Sequence, residues 1–408
     1  MDAALAAGSL RKDVRVVGLI SSAHFFSHFY QLVLPPLFPL LKEEFGVSYA
    51  ALGALTGLFF IASGCAQAPA GFLVDRFGAR AVLLSGLALL SGCIALGGFA
   101  QTYWILIPIA LAAGLGNSVF HPSDYAILNA SIYPTRLGRA FGVHGIMGSI
   151  GWAAAPPTVI ALAALLGWRS ALVAVGVAGL AMTAFLATQR DAMADHRRPT
   201  GAGRPASRLT DDLRLFVAPP IVLIFAFFVL SSMALIGVQN FVPPALMEVQ
   251  HLPLGLATSS LTAFLLATAV GTLFGGYLAD HTRRRDVVLA SGLLLSGVFL
   301  LAVAIDDLPA GLIMAALVAS GIALGSVGPS RDMVIREAAA IGSAGKVYGF
   351  VYSGLDLGAA VAPPLFGWLM DSGAPRLIFV AVAAMMVLSI ATVTQLRRAP
   401  PAAAAVPE

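Results

Sequence analysis

GRAFGVHGIMGSIGWAAAPP, from Gly138 to Pro157, returns as GKVYGFVYSGLDLGAAVAPP, from Gly345 to Pro364. Gly138, Gly142, Gly151, Ala153, Ala155, Pro156 and Pro157 meet identical residues, Arg139 meets Lys346, and Phe141 meets Tyr348. Upstream in the same register, His121-Pro122-Ser123 faces Gly328-Pro329-Ser330. Within a few residues of that register, Gln31 and Pro35-Pro36 match Gln239 and Pro243-Pro244. GFLVDRFGAR from Gly71 matches GYLADHTRRR from Gly276, and Arg169 matches Arg376. Chance similarity between Gly/Ala-rich helices does not produce ordered agreement at several separate places. The chain contains one unit twice.

Its composition sets what that unit is. With 59% hydrophobic and 11% charged residues, the chain lies far outside the range of a soluble domain. Apolar runs of about 20 residues, each long enough to cross a bilayer as a helix, recur throughout. They are continuous, without the short alternating segments of a membrane β-barrel. Bracketed at 16–41, 49–72, 80–100, 103–128, 138–163, 168–189, 215–245, 256–278, 287–305, 309–330, 346–370 and 376–396, they predict an all-α polytopic membrane protein. About twelve transmembrane helices fall into two pseudo-symmetric six-helix bundles, residues 1–189 and 215–408. A polar, Arg-, Gly- and Pro-rich linker over 190–214 joins them. Transporters are commonly built from such repeats.

Counting the runs from a cytoplasmic N-terminus leaves only Lys42, Arg169 and Arg376, of the 24 Lys and Arg, on the outer side. The positive-inside rule therefore predicts that both termini are cytoplasmic. The net charge of +4 follows from topology and implies no nucleic-acid partner; the expected surroundings are a lipid bilayer. Cys65 and Cys93 lie inside apolar runs, which argues against a disulfide framework or a Cys-based metal site. The polar N-terminus enters the first run without a small-residue cleavage site, so an uncleaved first helix is expected.

Ionisable side chains are costly in hydrocarbon, and each one inside a run is a functional candidate. Asp356 lies roughly ten residues, or about 15 Å, into its run, where it can take up and release a proton or hold substrate. His24 and His28, four apart, share a helical face suited to binding an anion or relaying a proton. Two histidines with no carboxylate or thiolate beside them are a weak zinc signal, so no metal is expected. His144, less than two turns into the fifth run, is a relay or gate candidate. Asn117, Gln239 and Asn240 can hydrogen-bond a polar solute at the midplane, or tie helices together. Tyr30, Gln31 and Tyr352 complete the expected cavity set. At the cytoplasmic ends of the fourth and tenth runs, the repeat sets Asp124 opposite Arg331 as mates of opposite charge. With His121 beside them, these are the candidate cytoplasmic gate. The proline pairs 35–36, 156–157, 243–244 and 363–364 are candidate bending points.

GFLVDRFGAR resembles the signature loop of the major facilitator superfamily, Gly-x-Leu-x-Asp-Arg-x-Gly-Arg/Lys, through Gly71, Asp75, Arg76, Gly78 and Arg80. A degenerate copy at Gly276, Asp280 and Arg285 extends the resemblance, which covers nearly the whole chain. It implies a conformational role for these residues, in a charge network near the start of the eleventh helix, and a monomer. The first 150 or so residues are also similar to fosmidomycin-resistance-type exporters, through His24, Gln31, Phe120, His121 and Pro122. Ser27 and His28 stand where those exporters carry an Asn-Asp pair.

The expectation is a secondary transporter of a bacterial-type inner membrane. It exports a small polar or amphipathic compound against protons, the export direction being implied by the resemblance. An importer or facilitator of a small organic anion is the nearest alternative, and a non-transporting membrane sensor a more distant one. No Ser-His dyad, nucleotide-binding glycine loop or metal pair with an acid points to an enzyme or to a cofactor.

Overall fold

A computed structural model of the chain describes residues 2–190, 193, 217–282, 284–338 and 344–396, with side chains described except at 2–9, 280, 332–338, 344–349 and 396. Apart from Arg190 and Met193, the expected linker lies outside the described residues. Among the described residues all regular structure is helical. The elements are α1 (Asp2–Gln31), α2 (Phe38–Phe45), α3 (Tyr49–Phe77), α4 (Ala79–Gly97), α5 (Tyr103–Asn117), α6 (Phe120–Ser131), α7 (Leu137–Leu166) and α8 (Trp168–Thr188). They continue as α9 (Pro219–Gln250), α10 (Leu254–His281), α11 (Arg285–Val303), α12 (Ala310–Ala338), α13 (Ala344–Asp371) and α14 (Arg376–Leu396).

Ten helical segments among the described residues are long and apolar enough to cross a membrane, one of them running α5 into α6 over Tyr103–Ser131. The two remaining long helices, α1 and α13, complete the twelve expected from the sequence. These two helices carry His24, His28 and Asp356. The expected first run, 16–41, ends early as a helix: α1 stops at Gln31, and a 3-10 turn, Pro35–Leu37, leads into α2. Pro35, Pro36 and Pro39 have no N–H with which to continue an α-helix. The other proline pairs lie inside continuous helices, α7, α9 and α13.

The repeat reappears as matching contacts. Gly151 of α7 packs on α1 so closely that an added β-carbon would run into the Phe25 carbonyl oxygen and lie 3.1 Å from the Phe29 amide nitrogen. Gly358 of α13 does the same against the Val229 carbonyl of α9, with the Met233 amide nitrogen at 3.1 Å. Gly114 meets the Phe59 carbonyl, and Gly321 meets that of Phe264. Helices in lipid associate through such close backbone approach, because water-driven burial is not available to hold them together. These contacts also fix a register. Phe29 corresponds to Met233, so two residues on Gln31 corresponds to Leu235, one helical turn short of the Gln239 suggested by the sequence match.

The chain divides into two compact units, Met1–Val47 with Leu58–Gly201, and Ser48–Gly57 with Ala202–Glu408. The short stretch Ser48–Gly57 thus groups with the second unit, a detail absent from the simple halving of the sequence. Arg169 and Arg376, which open α8 and α14, each pair with an acid of their own unit. The partners are Glu44, at 2.8 Å, and Asp306.

The glycine contacts generate a sign-resolved prediction. Gly151→Ala and Gly358→Ala should each destabilise the protein by about 1–3 kcal/mol through overpacking. Gly145→Ala, where a β-carbon meets nothing within 4 Å, should be neutral or stabilising. Thermal unfolding in detergent, followed by the loss of the monodisperse elution peak, reads the difference.

Candidate functional site

The fourth membrane span is discontinuous. α5 ends at Asn117 and α6 begins at Phe120, with Ser118 and Val119 in a turn between them. Pro122 accounts for the break, since it has no N–H and its ring crowds the carbonyl four residues earlier. Asn117 stands at this break and joins three other helices. Its Oδ1 accepts the Ser27 hydroxyl at 2.8 Å and Gln31 Nε2 at 3.4 Å, and its Nδ2 donates to Ser63 Oγ at 2.9 Å. Gln31 in turn accepts Trp152 Nε1 at 2.9 Å. α1, α3, α5 and α7 therefore share one polar network inside the first unit. Broken helices with polar groups at membrane depth are where transporter folds hold their substrates.

One turn of α1 away lies a second cluster. His24, 4% exposed, and His144, 2% exposed, flank Asp124, which is fully buried. Asp124 Oδ2 is 3.3 Å from His24 Nδ1 and 3.5 Å from His144 Nε2. Neither approach is directed as a hydrogen bond, and among the described residues both carboxylate oxygens lack a hydrogen-bond donor. The His24 and His144 rings stack at 3.8 Å, with His28 4.4 Å and His121 5.7 Å from His24. Gly148 makes room for them. A β-carbon there would lie 2.9 Å from His28 Nδ1 and 3.0 Å from His24 Cδ2. His121 is exposed and stacks on Tyr125 at 5.8 Å.

Two expectations change here. Asp124 was expected as half of a gate with Arg331; it instead lies in the interior of the first unit against two imidazoles, while the Arg331 guanidinium lies 5.0 Å over the Phe228 ring of the second unit. Tyr30 was expected to line the cavity; it is 3% exposed and donates its hydroxyl to the Val175 carbonyl of α8 at 2.8 Å. The helical period explains Tyr30. His24, His28 and Gln31 fall within about 60° of one another around α1, whereas Tyr30 falls roughly 120° from His24. The juxtaposition of His24, His144 and Asp124 had no sequence signal, since the three residues come from three helices.

In the second unit, Gly354 and Gly358 pack on α9. Two residues from each, Asp356 faces the opposite side of α13. It is half-buried, and among the described residues no hydrogen bond or ion pair reaches its carboxyl group. Tyr352 lies 5.0 Å from Phe228, ring to ring. Gln239 and Asn240 are each 1% exposed, and their amide groups have no hydrogen-bond partner among the described residues.

The signature loop joins α3 to α4. Gly78 takes φ 91°, a backbone region suited to glycine, and starts α4 as its N-cap. Arg80 Nη2 donates to the Ala187 carbonyl at the end of α8, at 2.7 Å, and Arg76 lies 5.2 Å over Phe77. Asp75 is exposed, and Gly71 has open space beside it. In the second copy Gly276 is likewise uncrowded and Arg285 opens α11, while the Asp280 side chain lies outside the described residues, as do those at the start of α13.

The two amide sites should respond differently to truncation. Asn117→Ala removes the centre of a satisfied network and should cost about 1–3 kcal/mol, because its former partners remain buried. Asn240→Ala removes no protein hydrogen bond and should cost less. Thermal unfolding of the two variants side by side tests this ranking.

Comparison with known proteins agrees with this architecture. The family profile of the Major Facilitator Superfamily matches residues 20–261 and 240–408. The chain is 27% identical over 293 residues, 71% of either chain, to the fosmidomycin resistance protein of Escherichia coli (strain K12). It is 28% identical over 348 residues, 83% of this chain and 85% of the other, to a probable nitrate/nitrite transporter, NarK2, of Mycobacterium tuberculosis (strain ATCC 25618 / H37Rv). Its fold is similar to the crystal structure of a bacterial homolog of the human lysosomal transporter Spinster in an inward-facing, occupied conformation. The TM-score is 0.77 at 17% sequence identity, over 95% of this chain and 97% of that one. Long helices built on one repeat, a signature loop between α3 and α4, and a profile match across both halves lead to one conclusion: this chain is a multi-pass membrane protein of the major facilitator superfamily of transporters, and not an enzyme.

Proposed function

We propose that the protein is a proton-coupled exporter that moves a small polar or amphipathic compound out of a bacterial cell across its inner membrane, by alternating access, with both termini in the cytoplasm. Asp356 carries the reading. It is an acid within a membrane helix, turned away from the helix it packs on, and no cation holds it in one charge state among the described residues. Such a group can bind a proton in one conformation and release it in another. The coupling step is therefore assigned to Asp356, ahead of His24 and His144, which flank a different carboxylate, and of His28, which packs on the His24 ring. Gln31, Asn117 and Trp152 in the first unit, and Gln239, Asn240 and Tyr352 in the second, are the polar groups assigned to substrate. The similarity to a fosmidomycin resistance protein supports export of a polar organic compound.

The similarity to a probable nitrate/nitrite transporter supports a second reading, uptake of a small anion held by the imidazoles of the first unit. Direction separates the two. Purified protein in liposomes is assayed with a panel that includes fosmidomycin, nitrate and small organic acids, with and without an imposed pH gradient. An exporter accumulates its compound on the more acidic side, in exchange for protons; an anion symporter accumulates it on the more alkaline side. In Asp356→Asn, gradient-driven accumulation should fall to the level seen without a gradient, while exchange of labelled for unlabelled compound persists. Undiminished gradient-driven transport in that variant removes Asp356 from the coupling step.

A further inference from the structure

We infer that His24, Asp124 and His144 form a binding site for a divalent first-row transition-metal ion, of the zinc type, inside the first unit. One donor atom from each residue lies within 4.8 Å of the other two. The two imidazole nitrogens approach the same carboxylate oxygen, Asp124 Oδ2, at 3.3 and 3.5 Å. Zinc bonds to nitrogen and oxygen are about 2.0–2.2 Å long, so the donors of a tetrahedral site stand about 3.3 Å apart. Two edges of such a tetrahedron are already in place, and a small inward shift of His144 relative to His24 would close the third.

The hydrogen-bonding pattern points the same way. Asp124 is fully buried, yet among the described residues neither of its oxygens has a hydrogen-bond donor, and both nitrogens of His144 and Nδ1 of His24 also lack a hydrogen-bond partner. Buried polar groups are ordinarily satisfied, and several failing together around one point call for a common occupant. A cation held by a carboxylate and two neutral imidazoles satisfies them at one stroke. The donor set selects the class of ion. Calcium and magnesium want a shell of oxygens, and copper(I) wants thiolate or thioether, whereas imidazole with carboxylate suits zinc and its neighbours. The fourth position of a tetrahedral site can be taken by water. This site is separate from the coupling assigned to Asp356, and its test does not depend on transport.

The test uses the full-length protein purified without a histidine tag. Equilibrium dialysis against Zn2+ should give one tightly held ion per chain. Asp124→Asn and His144→Gln should weaken it by about tenfold or more, since even the loss of a residue supporting a ligand has that effect. His281→Gln, on an exposed histidine elsewhere, should bind as wild type does. Asp124→Cys guards against a variant that merely misfolds: it keeps a ligand in place and should give a thiolate-to-cobalt absorption band when loaded with Co2+. The inference is overturned if wild-type protein holds no zinc above the dialysis blank. It is equally overturned if Asp124→Asn and His144→Gln bind as tightly as wild type, or if monodisperse Asp124→Cys protein with Co2+ shows no such band.

Discussion

The contact between a glycine and a backbone carbonyl, at Gly151 on Phe25 and again at Gly358 on Val229, governs the placement of the polar groups in both units. In hydrocarbon the helices gain nothing by hiding apolar side chains from one another, so dispersion at short range has to hold them together. That favours positions without a β-carbon and leaves little freedom in register. Once α7 is seated on α1 at Gly151, Gly148 lies one turn away against the His24 and His28 rings, and His144 one further turn along at Asp124. Once α13 is seated on α9, Asp356 is turned to the other side of its helix. The chemistry is arranged by residues that have none.

This division explains what could be read from the chain alone. The membrane helices were legible because a span needs about 20 apolar residues, and the two units because glycines and prolines recur at fixed spacing. The face shared by His24, His28 and Gln31 was legible from the 3.6-residue period, and the same period excludes Tyr30, which turns to Val175. Periodicity ends where one helix ends. Asp124 is 100 positions from His24 in the sequence, and nothing along α1 or α6 announces that they meet. The helix break after Asn117 was hidden for a related reason: one proline in a long apolar run can be carried in a continuous helix, as Pro69 and Pro108 are.

The two units solve the problem of polar groups in the membrane differently. In the first, Asn117, Ser27, Ser63, Gln31 and Trp152 satisfy one another, and the histidines are concentrated about one acid. In the second, among the described residues, Gln239 and Asn240 are buried without hydrogen-bond partners and no hydrogen bond or ion pair reaches Asp356. A satisfied network holds a shape, whereas groups without fixed partners can respond to a proton or a ligand. The first unit holds both kinds, the amide network at Asn117 and the unsatisfied cluster at Asp124, whereas Gln239, Asn240 and Asp356 of the second are all of the latter kind among the described residues.

The one-turn difference in register has a practical reach of its own. Anyone grafting the polar set of one half onto the other, or reconstructing a single ancestral half from the two, would naturally align Gln31 with Gln239. Packing aligns it with Leu235 instead. A hybrid built on the sequence match would carry its amide a full turn, about 5.4 Å, along the helix axis from the tryptophan and asparagine it is meant to meet. The sequence match and the packing register differ by one coil of a helix, and a designer must follow the packing.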